Sequence, residues 1–282
     1  FGSRNSQVSW RTCVAMNASE LLAVLRAGSF PRIGKNPGPL RVTGHFTTVL
    51  ETMLDRFDDA EVEARIVHRT EEFCTVFDGF PKSQVHLLVL PRITRVASLG
   101  QLRSEHLPML RRMSAYVSWV SESIASQLGL SITHGVHKVP SLRQLHVHVI
   151  SQDFVSPCLK NAKHYNSFQP PFFVSLSEIV EVLEAGDMPS TRLNLDTAEE
   201  RMKALELRCN RCCGAYGRRF AELKKHLASC TAPAPAPAPP VCEADTDGAI
   251  APAAEVSALK RSVEHRVSES SGKRAHITLD LT

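Results

Sequence analysis

The chain has 282 residues, 43% of them hydrophobic and 22% charged, with a formal net charge of +4. That length carries one ordinary domain with a real core and a small accessory module, and so slight a charge excess leaves any nucleic-acid surface to local clustering. No run of about 18 apolar residues and no basic-then-apolar leader pattern is present; eight cysteines in so long a chain argue for metal ligation in a reducing compartment rather than a disulfide framework.

The sequence starts at Phe1 rather than at methionine, which fits a chain with a part upstream. Residues 1–44 read as a poorly defined N-terminal extension, with a short helical pattern at 19–26 after Asn17 and a Pro/Gly-rich loop or linker at 31–39. From 45 to 57, Phe46, Val49, Leu50, Met53, Leu54 and Phe57 recur at helical spacing and predict an amphipathic helix. Short strands are expected at 65–68, 73–77 and 85–91, with turns at Thr70-Glu71 and Asp78-Gly79, giving an antiparallel meander. Between 104 and 128, apolar residues step by three or four, so a long helix lays one face on that sheet before Gly129 ends it. Two more strands follow at 131–138 and 144–151, joined by a turn through Pro140. Residues 172–186 begin extended and become a short acidic helix. The fold class is therefore α+β, an antiparallel sheet with flanking helices, spanning 45–186.

Residues 187–204 read as a connector and 205–230 as a second module. Its spacing, Cys209-x-x-Cys212 followed by His226 and Cys230, suits four ligands around a tetrahedral Zn²⁺ of structural type, with Cys213 as an alternative in the first pair. The module holds six Lys or Arg against two Glu, and its helix carries Arg218, Arg219 and Lys224, so contact with a DNA backbone is expected of this zinc finger. From 231 to 282 the chain alternates Ala and Pro and then has no aromatic residue; a disordered tail is expected, closing on the alternating run 277–282, which is similar to segments that add a strand to a ubiquitin-like modifier.

The most informative stretch is Gln144-Leu145-His146-Val147-His148-Val149-Ile150. Period-2 alternation puts His146 and His148 on one face of a strand and Leu145, Val147 and Val149 on the other. By itself this is equally a half-buried strand that happens to carry two histidines. Its flanks are Gly135-Val136-His137-Lys138-Val139-Pro140-Ser141 and Ser151-Gln152-Asp153-Phe154-Val155-Ser156-Pro157-Cys158-Leu159-Lys160-Asn161-Ala162-Lys163-His164. With them, roughly residues 65–230 resemble the histidine-triad superfamily and, within it, the fungal-type aprataxin family of DNA 5′-adenylate hydrolases.

That resemblance implies a histidine-triad catalytic domain followed by a zinc-finger module. It implies an adenosine-5′-diphospho-5′-DNA diphosphatase, a DNA-repair enzyme that removes AMP from abortive ligation products through a nucleotidyl-histidine and restores a 5′-phosphate. His146 matches the nucleophile, with His148 and His137 acting at the phosphates. Asp78 would meet the ribose, Lys82 and Ser141 the phosphate, and His86 would support the catalytic histidine from behind. Gln144 stands where the first triad histidine is expected and is grouped with the substrate-binding residues. Lys160, Lys163 and His164 would line a DNA channel. A wedge helix at the DNA end is also implied, with Phe30 and Phe46 as candidates for its tip. The resemblance implies nicked or double-stranded 5′-adenylated DNA as partner, AMP as product, a monomer, a nuclear location with the cytoplasm as the alternative, and no catalytic metal. Two rivals are a histidine-triad hydrolase of small nucleotides and a catalytically inactive DNA-end-binding relative.

Overall fold

The computed structural model describes residues 16–233. The Ala/Pro-rich tail from 234 and the alternating run at 277–282 lie outside the described residues. Everything described belongs to a single unit, Phe1–Pro240.

Helix α1 (Ala18–Ala27) starts at a capping box, in which the Asn17 side chain accepts from the Glu20 main chain while the Glu20 carboxylate accepts from the Asn17 N–H. The helix expected over 45–57 is a 3-10 turn (Phe46–Thr48) followed by α2 (Val49–Asp55), and a short α3 (Ala60–Glu63) leads into the sheet. Strands β1 (Ile66–Arg69), β2 (Phe73–Phe77) and β3 (His86–Pro91) form the meander. Helix α4 (Leu107–Leu128) has Pro108 in its first turn and stops at Gly129, whose φ of +65° suits glycine. Strands β4 (Ile132–His137) and β5 (Val147–Ser151) follow, then α5 (Ala162–Asn166), β6 (Phe173–Val174) and α6 (Leu176–Glu184). The six strands form an antiparallel sheet in the order β1-β2-β3-β5-β4-β6.

The two faces of β3 explain where the site lies. Leu87 and Val89 point into the core built by α1, α4 and α6, with Val147 and Val149 of β5 beside them. Leu88 and Leu90 point the other way, into a second core with Cys74, Val76, Leu50, Met53 and Val62. Each such buried leucine contributes roughly 1.5–3 kcal/mol relative to an exposed one. Since Leu88 pairs with His148 in register, His148 shares the face opposite α4.

Residues 187–204 form two helices, α7 (Pro189–Arg192) and α8 (Leu195–Ala204). Ala198 and Met202 of α8 bury Phe172, and the Asn166 amide donates to the carbonyls of Met202 and Leu205. The last module is a two-stranded ribbon, β7 (Leu207–Arg208) and β8 (Ala215–Gly217), with helix α9 (Phe220–Ser229). Leu207, Cys209, Leu223 and Leu227 share one core with Ile150, Phe154, Leu159 and Tyr165 of the larger domain. The ribbon and helix are therefore welded to the strand that carries His148.

Candidate active site

Strand β5 begins at Val147, so Gln144 and His146 lie just before it. Gln144 takes a positive φ of +79°, an uncommon conformation for a side chain of this size, and its amide is tied away from the cavity, donating to the Thr94 carbonyl at 3.0 Å. The residue is 2% exposed and does not line the cavity, so its side chain is not placed to touch a substrate. Its main-chain carbonyl is the useful group. His146 Nδ1 stands 2.8 Å from that oxygen; a carbonyl only accepts, so the network puts the proton on Nδ1 and leaves the Nε2 lone pair free.

A second relay fixes the neighbouring rings. The Lys82 N–H donates to His86 Nδ1 at 3.1 Å, which puts the His86 proton on Nε2. That nitrogen donates to His148 Nδ1 at 2.8 Å, and so His148 must carry its own proton on Nε2. His148 Nε2 is buried without a protein partner, as is His137 Nε2. The His137 ring stacks on His148 with centroids 4.1 Å apart, and Phe168 closes over both edge-on, 4.4 Å from His137 and 5.4 Å from His148. Buried polar groups without partners are costly in a finished fold and are explained by a ligand that completes them.

Burial holds all four imidazoles neutral. His86 is pushed down to about 4 by burial first, against an opposing pull from Asp78. Burial also lowers His146, His148 and His137, the last two well below the usual histidine range, with mutual repulsion adding to it. The Asp78 carboxylate lies 3.6 Å from His86 Nε2, but a neutral His86 makes this a polar contact rather than an ion pair. Asp78 Oδ1 accepts from the Phe80 N–H at 2.6 Å, which shapes the turn, while Oδ2 faces His86. Asp78, His86 and His148 offer atoms within 4.8 Å of one another; the two imidazole nitrogens already serve each other in the relay.

These groups line one cavity of about 420 Å³, within the range of small-molecule sites. Asp78, Lys82, His86, His137, Ser141, His146 and His148 all contribute to it, and so do Lys160, Lys163 and His164 at its mouth. Lys163 also pairs with Glu199 at 2.9 Å. The other predicted DNA contacts lie elsewhere: Arg219 pairs with Glu222 at 2.9 Å, Arg218 reaches toward the Lys203 carbonyl at 3.4 Å, and the Lys224 ammonium donates to the Leu159 carbonyl at 2.7 Å. Lys224 is thus a docking contact between finger and domain. Of the two wedge candidates, Phe30 is buried against Trp119 and His68, whereas Phe46 is 50% exposed and meets the exposed Phe80 edge-on at 5.9 Å on the cavity rim. The sequence assigned no site role to Phe80, Cys158 and Phe168 or to Gly38, Pro39, Leu40 and Val42, which the fold brings to the cavity from segments far apart in the chain.

In the finger, Cys209, Cys212, His226 and Cys230 present four ligand atoms within 4.8 Å of one another. Cys209 Sγ and Cys230 Sγ are 3.9 Å apart and Cys212 Sγ is 3.2 Å from His226 Nε2. A tetrahedron with Zn–S near 2.3 Å has edges of roughly 3.8 Å, so the donor set fits zinc. Cys213, with φ of +59°, is outside the cluster.

Residues 51–164 match the family described as "Scavenger mRNA decapping enzyme C-term binding", and residues 169–232 match the "C2HE / C2H2 / C2HC zinc-binding finger". Aprataxin of Danio rerio is 38% identical over 161 residues, covering 57% of this chain and 48% of that protein. An aprataxin-like protein of Schizosaccharomyces pombe is 29% identical over 187 residues, covering 60% of this chain and 76% of that protein. A crystal structure of the aprataxin ortholog Hnt3 in complex with DNA superposes with a TM-score of 0.53 at 28% identity, covering 66% of this chain and 94% of that one. The chain spans about half the length of the vertebrate relatives it matches. The histidine constellation, the six-stranded sheet and the Cys-Cys-His-Cys module thus occur together in a chain that is similar to aprataxin and aprataxin-like proteins.

Proposed function

We propose that this chain is a nuclear DNA-repair hydrolase that removes AMP from 5′-adenylated DNA ends. The observation that carries the reading is the lone pair left on His146 Nε2 by the Gln144 carbonyl, inside a cavity where two further imidazole nitrogens lack partners. His146 Nε2 attacks the phosphorus of the AMP group; a P–N bond forms as the P–O bond to the DNA phosphate breaks, and the DNA leaves with a 5′-phosphate. Water then attacks the same phosphorus, breaking P–N and releasing AMP. The His148 Nε2–H and the His137 ring act on the phosphate oxygens, where negative charge builds up. Asp78 holds the ribose hydroxyls, and Lys82 and Ser141 hold phosphate. Lys160, Lys163 and His164 follow the DNA backbone, and Phe46 meets the DNA end. Contacts of this kind read the backbone rather than the bases, so sequence preference is slight. Zinc, held by Cys209, Cys212, His226 and Cys230, supplies a crosslink that fixes the ribbon to α9 rather than chemistry at the phosphate.

The test is AMP release from a nicked duplex carrying a 5′-adenylated end, comparing wild type with His146→Ala. Loss in the variant supports the nucleophile; a folded, zinc-loaded wild type that releases nothing sinks the enzyme reading and leaves an inactive DNA-end-binding relative. The small-nucleotide rival is better separated by surface changes than by truncation, because deleting the finger would bare Ile150, Phe154 and Tyr165. Charge reversal at Lys160 and Lys163 lowers affinity for adenylated DNA and spares small adenylated substrates if DNA is the true partner.

A further inference from the structure

The Pro/Gly-rich stretch before Val42 lies N-terminal to both matched family segments, forms neither helix nor strand, and nonetheless builds part of the cavity wall. Gly38, Pro39, Leu40 and Val42 all line the cavity, on an apolar side completed by Leu50 and Leu88. His137, His146 and His148 line the same cavity, and Asp78 lies in the turn that the stretch contacts.

A buried arginine is central to holding so irregular a stretch in place. Arg65 is 7% exposed, and its guanidinium donates to the carbonyls of Gly38 at 3.1 Å and Pro39 at 2.8 Å, with a third bond to the Glu61 carbonyl. A planar fork aimed at successive main-chain carbonyls fixes a segment in a way a lysine cannot. The stretch is in turn fastened to the ribose-side turn. Asn36 Nδ2 donates to the Asp78 carbonyl at 2.7 Å, while Asn36 Oδ1 accepts from the Gly38 N–H at 2.8 Å. A Cβ on Gly79 would stand 2.7 Å from Pro39 Cα, so the two backbones touch at a point only glycine allows. Gly38 itself, at φ of +87°, turns the stretch over the cavity.

We propose that residues 36–40 are the base-side wall of the nucleotide pocket and that Arg65 is a positioning residue that sets nucleotide affinity through this wall and the Asp78 turn. The inference rests on the hydrolase reading for its substrate, but its central prediction concerns binding. Arg65 fixes the wall and itself lines the same cavity, on the binding side of the reaction, so its loss changes KM rather than kcat.

The experiment uses the full chain and AMP as probe. Calorimetric AMP binding, AMP release from adenylated DNA, and thermal unfolding are compared among wild type, Arg65→Lys and Asn36→Ala. The second variant keeps Arg65 and its buried bonds, and guards against a first that does not fold. The expected result is an AMP Kd and a KM raised about tenfold or more in Arg65→Lys, and several-fold in Asn36→Ala, with kcat within about twofold. Folded variants with unchanged AMP Kd, or with kcat lowered at constant KM, would overturn the proposal while leaving the hydrolase intact. A wild type that binds AMP but releases none, with binding weakened in the variants, would remove the hydrolase reading and keep the wall. A wild type that neither binds nor releases AMP would overturn both.

Discussion

His146 Nδ1 lies 2.8 Å from the carbonyl oxygen of Gln144, two residues back along the same chain. The positive φ of Gln144 turns its peptide so that this carbonyl, and not its side chain, orients the imidazole. The absence of a histidine at position 144 therefore leaves the tautomer of His146 untouched.

It follows that Gln144→Ala keeps His146 correctly oriented and loses only the amide bond to the Thr94 carbonyl. AMP release should stay within about tenfold of wild type, with stability lower by about 1–2 kcal/mol. A rate loss as deep as that of His146→Ala would show that the side chain, not the carbonyl, is the orienting group.

The relay from Lys82 through His86 to His148 makes a separate prediction. His86→Phe removes the donor to His148 Nδ1, frees that ring to change tautomer, and should lower kcat about 10- to 100-fold. Single-turnover kinetics, which isolates the chemical step, is the check; an unchanged rate would mean that His148 is oriented by its stacking on His137 alone.

The buried neutral imidazoles set the acid limit. A free histidine in the unfolded chain binds a proton near 6.5, whereas His86 in the folded chain does so only near 4. Between these values the unfolded state holds more protons, so stability is intact above about 6.5 and falls as pH drops toward 4, by on the order of 3 kcal/mol for this residue. His146 is shifted in the same direction, by burial first. Chemical denaturation as a function of pH should show this loss, and a free energy of unfolding flat from 7 to 4.5 would contradict it.

Zinc removal should reach the active site through packing. Phe168 joins the finger's core at one end and lies against the His86, His137 and His148 rings. Chelation should melt residues 205–230, speed hydrogen exchange in α9, and broaden the imidazole signals of His137 and His148. Cys213→Ser should do none of these, since Cys213 is outside the ligand cluster. Normal metal content in Cys230→Ser would place the fourth ligand elsewhere.

Phe46 tests the DNA-end reading. Phe46→Ala should raise KM for an adenylated nick several-fold and leave a small adenylated substrate unaffected; an equal effect on both would put the ring in the nucleotide pocket instead.

Period and spacing were enough, in the sequence alone, for the α+β class, the alternation of Leu145, Val147 and Val149 against His146 and His148, the long helix ending at Gly129, and the candidacy of Cys209, Cys212, His226 and Cys230, which the fold clusters while leaving the alternative Cys213 outside. Each is a local pattern, since the strand repeat, the helical repeat and a metal knuckle act over a few residues. What only the tertiary structure decided came from groups distant in the chain. Arg65 reaches Gly38 and Pro39, Lys224 is turned from a DNA contact into a docking bond to Leu159, and Phe168 joins the finger to the histidines. Residues 187–204, read as a bare connector, are helical because Met202 and Ala198 have Phe172 to cover. The free nitrogen of His146 was likewise out of reach of any sequence reading: it depends on where one carbonyl points, and that direction is set by the positive φ of Gln144, between main-chain bonds from Arg143 to Thr47 and from Leu145 to Val96.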